Sequence, residues 1–263
     1  MEMTIGRDRT TGTVTIANDL EPMIRFSDEL PVVLTATIIP NVAGMVTSNP
    51  EARLAEYRHT LQFCQQFAPV IFLENSRYPL ASYTEFADSP RLRIHRFPPS
   101  AQPERGKGYQ EFEMLDAWLA SEPRPPARWL KLSGRYQPLN LPAILAEWRR
   151  EPDCQLLIDQ VVRLRRARTY LFGVSTAFYQ ERLRGLYQRC DDRTGDWIEH
   201  VVYRELEKTP RPPVRLLKTQ PRLQAYDGSS GTPFPAGKFQ WLVKQGLRSL
   251  NRIVDQRRLW YAN

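Results

Sequence analysis

The segment from Val32 to Ile39, V-V-L-T-A-T-I-I, is apolar almost without interruption and rich in β-branched residues, with Pro31 ahead of it and Pro40-Asn41 closing it. A strand that faces water on one side alternates polar and apolar side chains, because successive residues point to opposite faces. A run without alternation predicts a strand covered on both faces, which is the habit of parallel sheets joined by crossover helices. One such strand therefore commits the chain to a layered α/β architecture.

The segments that follow keep to that plan. Pro50 to Phe67 places Leu54, Tyr57, Leu61 and Cys64 at helical spacing, with Asn49 as an N-cap and Pro50 in the first turn. Strands are expected at Val70 to Leu73 and at Leu92 to Phe97. A helix follows from about Gln110 to Ala120, with Phe112, Leu115 and Leu119 on one face and Pro123 to Pro126 ending it. Further strands are expected over Trp129 to Tyr136, Gln155 to Asp159 and Thr169 to Val174, with a helix near Leu141 to Arg149 between the first two. Ala177 to Arg189 and Asp196 to Lys208 read as the two clearest helices, the second with Ile198, Val201, Val202 and Leu206 inward and Thr194 or Asp196 as its cap. The first thirty residues suggest an irregular lead-in with a short strand at Thr13 to Ile16. The whole reads as one α/β domain with a mostly parallel central sheet over residues 1–235, followed by a basic amphipathic helix in residues 236–263.

Composition narrows the partner. Of the 263 residues, 41% are hydrophobic and 11% aromatic, enough for a packed core, and the net charge of +8 points to an anionic partner. Much of the excess sits at the end, where Lys238, Lys244, Arg248, Arg252, Arg257 and Arg258 face a single acid, Asp255. With Phe239, Leu242, Val243, Leu247, Leu250 and Val254 at helical spacing, residues 238–258 suit either a membrane interface or the protein's own surface. No apolar run approaches the ~20 residues that cross a bilayer, and no leader pattern opens the chain. Cys64, Cys154 and Cys190 lie far apart, which fits reduced thiols. A cytoplasmic protein, at most touching the inner membrane face, is the expectation.

Several chemistries lack their residues. His59, His95 and His200 are isolated from one another and from cysteines, so zinc is not expected. There is no G-x-S-x-G elbow and no Walker A loop. Arg163, Arg165, Arg166 and Arg168 form a basic run without interleaved aromatics, and no nucleic-acid-binding motif accompanies it. A basic nucleic-acid module thus stands as the alternative function, marked by steep salt dependence of binding.

Polar residues gather where strands end, which is where open α/β sheets bind ligands. Asn41, Glu74, Asn75 and Ser76 are so placed, although Asn and Ser also make turns for their own sake. Gly106-Lys107-Gly108 opens a helix with flexible backbone and an ammonium, a combination that suits a phosphate or a plain turn. On the strand from Trp129, residues two and four apart share a face, so Lys131, Ser133 and Arg135 are expected to line one surface together. Asp191, Asp192, Asp196 and Glu199 cluster between the last two helices. Carboxylates are favoured at a helix start by the dipole alone, but Glu199, with Asp196 beside it, is also the candidate general base. Asp159, at a strand end, is a second choice as base or metal ligand. Gly228-Ser-Ser-Gly231 is loose enough for a lid.

Taken in order, V-V-L-T-A-T-I-I-P, V-I-F-L-E-N-S, R-G-K-G-Y, W-L-K-L-S-G-R-Y, T-Y-L-F-G-V-S, D-W-I-E and the G-S-S-G loop resemble GT-A-type bacterial glycosyltransferases of surface-polysaccharide and lipopolysaccharide assembly. The resemblance spans about residues 31–235 by architecture and implies a single GT-A-like, Rossmann-type domain. In that family a strand at the place of residues 129–136 ends in Asp-x-Asp, which holds a divalent metal against the donor diphosphate. Here Lys131-Leu-Ser133-Gly-Arg135 stands instead, and the resemblance then implies a transferase without metal or other cofactor whose cations meet phosphate directly. It further implies a nucleotide-sugar donor, including nucleoside-monophosphate sugars, with Asn41, Glu74, Asn75 and Ser76 near the nucleoside and Lys107, Lys131, Ser133 and Arg135 near phosphate. Glu199 in D-W-I-E matches the acid that serves inverting members as base. The acceptor would be a hydroxyl of a glycan or lipid-linked glycan. Another nucleotide-dependent transferase on the same sheet is the remaining alternative.

Overall fold

A computed structural model of the chain describes residues 29–41, 49–209 and 213–224, together with positions 237, 241–243 and 246. The strand expected at Thr13 to Ile16, the lid at Gly228 to Gly231 and most of the helix at 238–258 lie outside the described residues.

The elements run β1 (Val32–Ala36), α1 (Pro50–Gln65), β2 (Val70–Glu74), β3 (Leu92–Arg96), α2 (Lys107–Ser121), β4 (Arg128–Ser133), β5 (Gln137–Pro138), α3 (Leu141–Arg149), β6 (Leu156–Val161), β7 (Arg166–Ser175), α4 (Thr176–Phe178), α5 (Ile198–Glu207), β8 (Val214–Leu216) and β9 (Leu223–Gln224), with short 3-10 and π turns between some of them. Seven strands form one sheet in the order β3-β2-β1-β4-β7-β6-β8, and β5 pairs with β9 in a small ribbon. The pairs β1–β2, β2–β3, β1–β4 and β6–β8 are parallel, while β7 runs against both β4 and β6. The α/β class and the mostly parallel sheet are therefore as the sequence predicts.

The unalternating run of β1 is covered on both faces. Val33 joins Ile71 and Leu73 beneath α2 and α5, where Phe112, Leu115, Trp118, Ile198 and Val202 close the layer. Trp129 sits at the centre of that layer, edge-on to Trp118 at 5.3 Å between ring centroids. Val32 and Leu34 join Val70 and Phe72 on the other face, against Leu54, Tyr57, Leu61 and Cys64 of α1 and Ile144, Leu145 and Trp148 of α3. The start of α1 is fixed by Asn49, whose Oδ1 accepts the N–H of Glu51 at 2.9 Å and of Ala52 at 3.2 Å. All three cysteines are free and buried.

Three expectations about elements are corrected. First, β7 is a long antiparallel strand, reached from β6 by a tight turn at Val162–Leu164 with Arg165 in the left-handed region at φ 50°. Antiparallel neighbours need no crossover helix, and the run of arginines hid the turn. Second, Ala177 to Arg189 is not one helix: after the single turn α4 comes a π turn at Tyr179–Leu183 and a 3-10 turn at Leu186–Arg189. Asp116 of α2 accounts for the break. Its Oδ1 accepts the Tyr179 hydroxyl at 2.8 Å and its Oδ2 the Gly185 N–H at 2.7 Å, and Gly185 adopts φ 75°, a region L side chains avoid. Third, α5 starts at Ile198 and neither Thr194 nor Asp196 caps it; Trp197 holds the cap position without a side-chain bond.

The topology also fixes where a ligand can sit. From β1 the chain moves outward through β2 and β3, then returns to β4 on the opposite side of β1. That reversal opens a crevice beyond the carboxyl ends of β1 and β4.

Candidate active site

A cavity of about 290 Å³ occupies that crevice. Thr35, Ala36 and Thr37 from the end of β1 line it, with Arg53 and Tyr57 of α1, Lys107 and Glu111 of α2, Ser133 to Tyr136 after β4, Thr169 and Tyr170 of β7, and Glu199 of α5. Asn41 stands exposed at its rim.

Glu111 organises the α2 side. Its Oε1 accepts the Lys131 ammonium at 2.6 Å and the hydroxyls of Ser133 at 2.8 Å and Thr35 at 2.5 Å. Lys131 also donates to Ser133 Oγ at 2.8 Å and to the Thr169 carbonyl at 2.9 Å, so its three protons are all committed. The side chain is wholly buried. Burial pushes the Lys131 amine below the ordinary lysine value, and Glu111 pulls it back toward charge. The sequence sets Lys131 toward a phosphate; in the structure it does not line the cavity, and its ammonium is engaged by Glu111, Ser133 and the Thr169 carbonyl.

Arg135 also departs from expectation. The strand ends at Ser133, and the Gly134 N–H turns back to the Thr35 carbonyl at 2.9 Å. A Cβ on Gly134 would lie 2.9 Å from both that carbonyl oxygen and the Tyr57 ring, so only glycine passes here without displacement. The alternation is broken, and Arg135 pairs through Nε with Glu56 of α1, on the sheet face opposite Lys131. Its side chain is only 10% exposed, yet Nη2 has no hydrogen-bond partner among the described residues. Nη2 is itself closed to solvent, one of ten such unpartnered buried atoms among the described residues, so the cavity is met by the rest of the Arg135 side chain.

On the same side, Arg53 donates to the Thr37 carbonyl, from Nε at 3.0 Å, and the Tyr57 hydroxyl accepts the Thr37 N–H at 3.1 Å. Together they hold the exit of β1. Glu74, Asn75 and Ser76 do not line the cavity but clasp that same exit from the side. Ser76 Oγ accepts the Ile39 N–H at 2.9 Å, Asn75 Oδ1 accepts the Thr37 hydroxyl at 2.6 Å, and Glu74 Oε1 accepts the Ser76 N–H at 2.7 Å. Burial raises the Glu74 carboxyl above the usual range.

The glycine-basic loop opens α2 as expected, and Lys107 lines the cavity. Its glycines, however, serve contact within the protein. Gly106 adopts φ 108°, and a Cβ there would lie 2.0 Å from the Asp192 carboxylate. A Cβ on Gly108 would lie 2.3 Å from Ile198 Cγ2. The Lys107 N–H bonds to Asp192, so the anion at this helix start is the protein's own.

The acidic cluster divides. Glu199 lines the cavity, and burial raises its carboxyl, with the charges of Glu111 and Asp192 adding to the rise and Lys131 opposing it. Asp196 lies away from the cavity; the Arg204 guanidinium, 2.8 Å away, holds its carboxyl below the usual range. Asp159 pairs with Arg168 at 3.0 Å. Among the described residues no group of three or more His, Cys, Asp or Glu is close enough to hold a metal ion.

The cavity thus brings together Asn41, Lys107, Ser133, Arg135 and Glu199 from the sequence-based set. Glu111, Thr35, Arg53 and Tyr57 were missed. Glu111 follows Lys107 by one helical turn, so the singled-out loop and its hidden carboxylate share a face.

No protein-family model matches the chain, and no curated protein does. Among solved structures, protein Rv0371c of Mycobacterium tuberculosis H37Rv in complex with manganese is similar at 17% identity and a TM-score of 0.41, over 82% of this chain and 97% of that one. Mouse xyloside xylosyltransferase 1 is similar at 10% identity and 0.43, over 72% of this chain and 84% of that one. The galactosyltransferase LgtC with donor and acceptor sugar analogues is similar at 8% identity and 0.46, over 71% of this chain and 73% of that one. Likenesses of this size carry no activity across.

Proposed function

We propose that the cavity takes a nucleotide-sugar donor and that the protein transfers its sugar to a hydroxyl of a glycan or lipid-linked acceptor, in the manner of a GT-A-like enzyme. The observation that carries this reading is the cavity at the topological switch point, which brings two cations, Lys107 and Arg135, and a carboxyl, Glu199, to one lining. Arg135 pairs with Glu56 through Nε and lines the cavity, so its positive charge lies beside the place where a phosphate would sit.

Glu199 is the general base of this scheme. A carboxyl raised by burial holds a proton better than an exposed one, whereas the Glu111 carboxylate is already engaged by Lys131, Ser133 and Thr35. The acceptor oxygen bonds to the anomeric carbon as the bond from that carbon to the phosphate oxygen breaks. The hydroxyl proton goes to Glu199, and the charge building on the leaving phosphate meets Arg135, with Lys107 at the same cavity. In this reading those two cations do the work that a divalent metal does in the GT-A family, so no metal is required. The nucleoside lies toward Asn41, and Glu74, Asn75 and Ser76 act on it through the Thr37–Ile39 segment they hold.

The test is a thermal-shift screen in chelator against UDP, GDP and CMP and their sugars, followed by assay for nucleotide release. Ligand at a hundredfold its Kd adds about 2.7 kcal/mol of stability, a clear rise in melting temperature. Stabilisation that appears only when divalent metal is restored contradicts the metal-free part. Pyrophosphate release from a nucleoside triphosphate would mark nucleotidyl transfer instead.

A further inference from the structure

The hairpin from β6 to β7 runs past the end of β4, with Ala167 still buried in the core and the tip exposed. Leu171 of β7 pairs with Leu132 near the end of β4, and Arg166 lies five residues earlier on β7. At about 3.3 Å per residue the hairpin projects roughly 16 Å beyond that level, on the edge where the cavity opens. At its tip Leu164 is 51% exposed between Arg163 and Arg165, both exposed as well. Trp197, at the start of α5 on the same edge, is partly exposed and held in place: Arg166 lies over its ring at 4.4 Å and His200 stacks on it at 5.3 Å. Ile39, at the exit of β1 beside the cavity rim, is also exposed, as are Leu242 and Val243 further along the chain.

Single exposed apolar residues are ordinary on a protein surface. Of the five described, Leu164, Trp197 and Ile39 fall on one edge, with cations around the most prominent, while Leu242 and Val243 come later in sequence. Arg165 pairs with Glu207 and Arg168 with Asp159, while Arg163 has no carboxylate partner among the described residues. We infer that this edge docks on an anionic lipid bilayer, Leu164 and Trp197 entering the interface while Arg163 and Arg165 meet headgroup phosphates. Leucine at a projecting tip removes apolar surface from water without disturbing the fold, tryptophan favours the headgroup level, and basic residues add attraction to the negative leaflet. The cavity mouth would then face the membrane. This surface does not depend on what the cavity binds.

The test is flotation of the full chain with phosphatidylcholine vesicles and with vesicles that also contain phosphatidylglycerol. Wild type floats with the anionic vesicles, and less at high salt. Arg163→Ala weakens the partition roughly fivefold, and Leu164→Glu roughly tenfold or more, both with unchanged melting temperature because the side chains are exposed. Equal flotation with neutral and anionic vesicles, or none with either, overturns the inference. So does a double variant, Arg163→Ala with Leu164→Glu, that floats like wild type, a result that moves the contact to residues 236–263. Nucleotide binding by the same variants, measured without vesicles, separates a failure here from a failure of the cavity reading.

Discussion

Replacing Lys131 with methionine separates the two roles a lysine on β4 can have. If its ammonium serves a phosphate, the variant folds normally and loses only ligand. The structure demands the other outcome. The substitution removes three hydrogen bonds, of 2.6 Å to Glu111, 2.8 Å to Ser133 and 2.9 Å to the Thr169 carbonyl. It leaves the Glu111 carboxylate without its counter-charge. Breaking one side of a buried ion pair costs about 3–5 kcal/mol. Glu111 is 20% exposed and keeps two hydroxyl donors, so the loss falls near the lower end, about 3 kcal/mol. Urea unfolding at neutral pH measures it. Adding Glu111→Gln removes the stranded charge and recovers part of the loss. A Lys131→Met protein within about 0.5 kcal/mol of wild type refutes the assignment.

Three further outcomes follow from the same geometry. Gly108→Ala forces a Cβ against Ile198; overpacking of about 1–3 kcal/mol outweighs the roughly 1 kcal/mol that alanine gains over glycine in a helix, so a stabilised variant in urea unfolding contradicts the contact. For Glu199 the sign is set by burial: its folded-state carboxyl lies above the ordinary value, so the stability it contributes is complete at low pH and is lost as pH rises through the folded-state value. Glu199→Gln, which cannot ionise, is therefore more stable than wild type at neutral pH, with the gap closing under acid, and it loses about 10²- to 10⁴-fold in turnover; identical urea midpoints at every pH remove the burial argument. Asp196→Asn leaves turnover at the wild-type level, and a large loss there restores Asp196 to the catalytic set.

What the sequence showed and what it hid have physical causes. The unalternating strand from Val32 declared a two-sided burial that β1 has in full, and Asn49-Pro50 fixed the start of α1 because local capping chemistry decides it. Polar residues at strand ends pointed to the edge of the sheet where the cavity lies, which Asn41 lines while Glu74, Asn75 and Ser76 hold the exit of β1 from the side. Period-two alternation placed Lys131 and Ser133 together correctly and then failed at Arg135, because Gly134 ends the strand through a contact with Thr35 and Tyr57 that is distant in sequence. The break after α4 was hidden for the same reason: its cause, Asp116, lies on α2. Glu111 was illegible because its partners come from β1 and β4, and only folding assembles them around one carboxylate. The Gly106 and Gly108 pattern looked like a phosphate loop because close packing and phosphate approach ask for the same residue.

The most direct test of the central claim is isothermal titration, in chelator, of the preferred nucleotide sugar into wild type, Arg135→Met and Glu56→Gln. Losing a charge-assisted hydrogen bond of about 1.5–3 kcal/mol weakens donor binding by roughly ten- to a hundredfold in Arg135→Met. Glu56→Gln, which keeps the guanidinium and removes only its protein partner, binds the donor as wild type does. Arg135→Met binding at wild-type affinity, or an equal loss in both variants, would contradict the claim that Arg135 holds the donor phosphate.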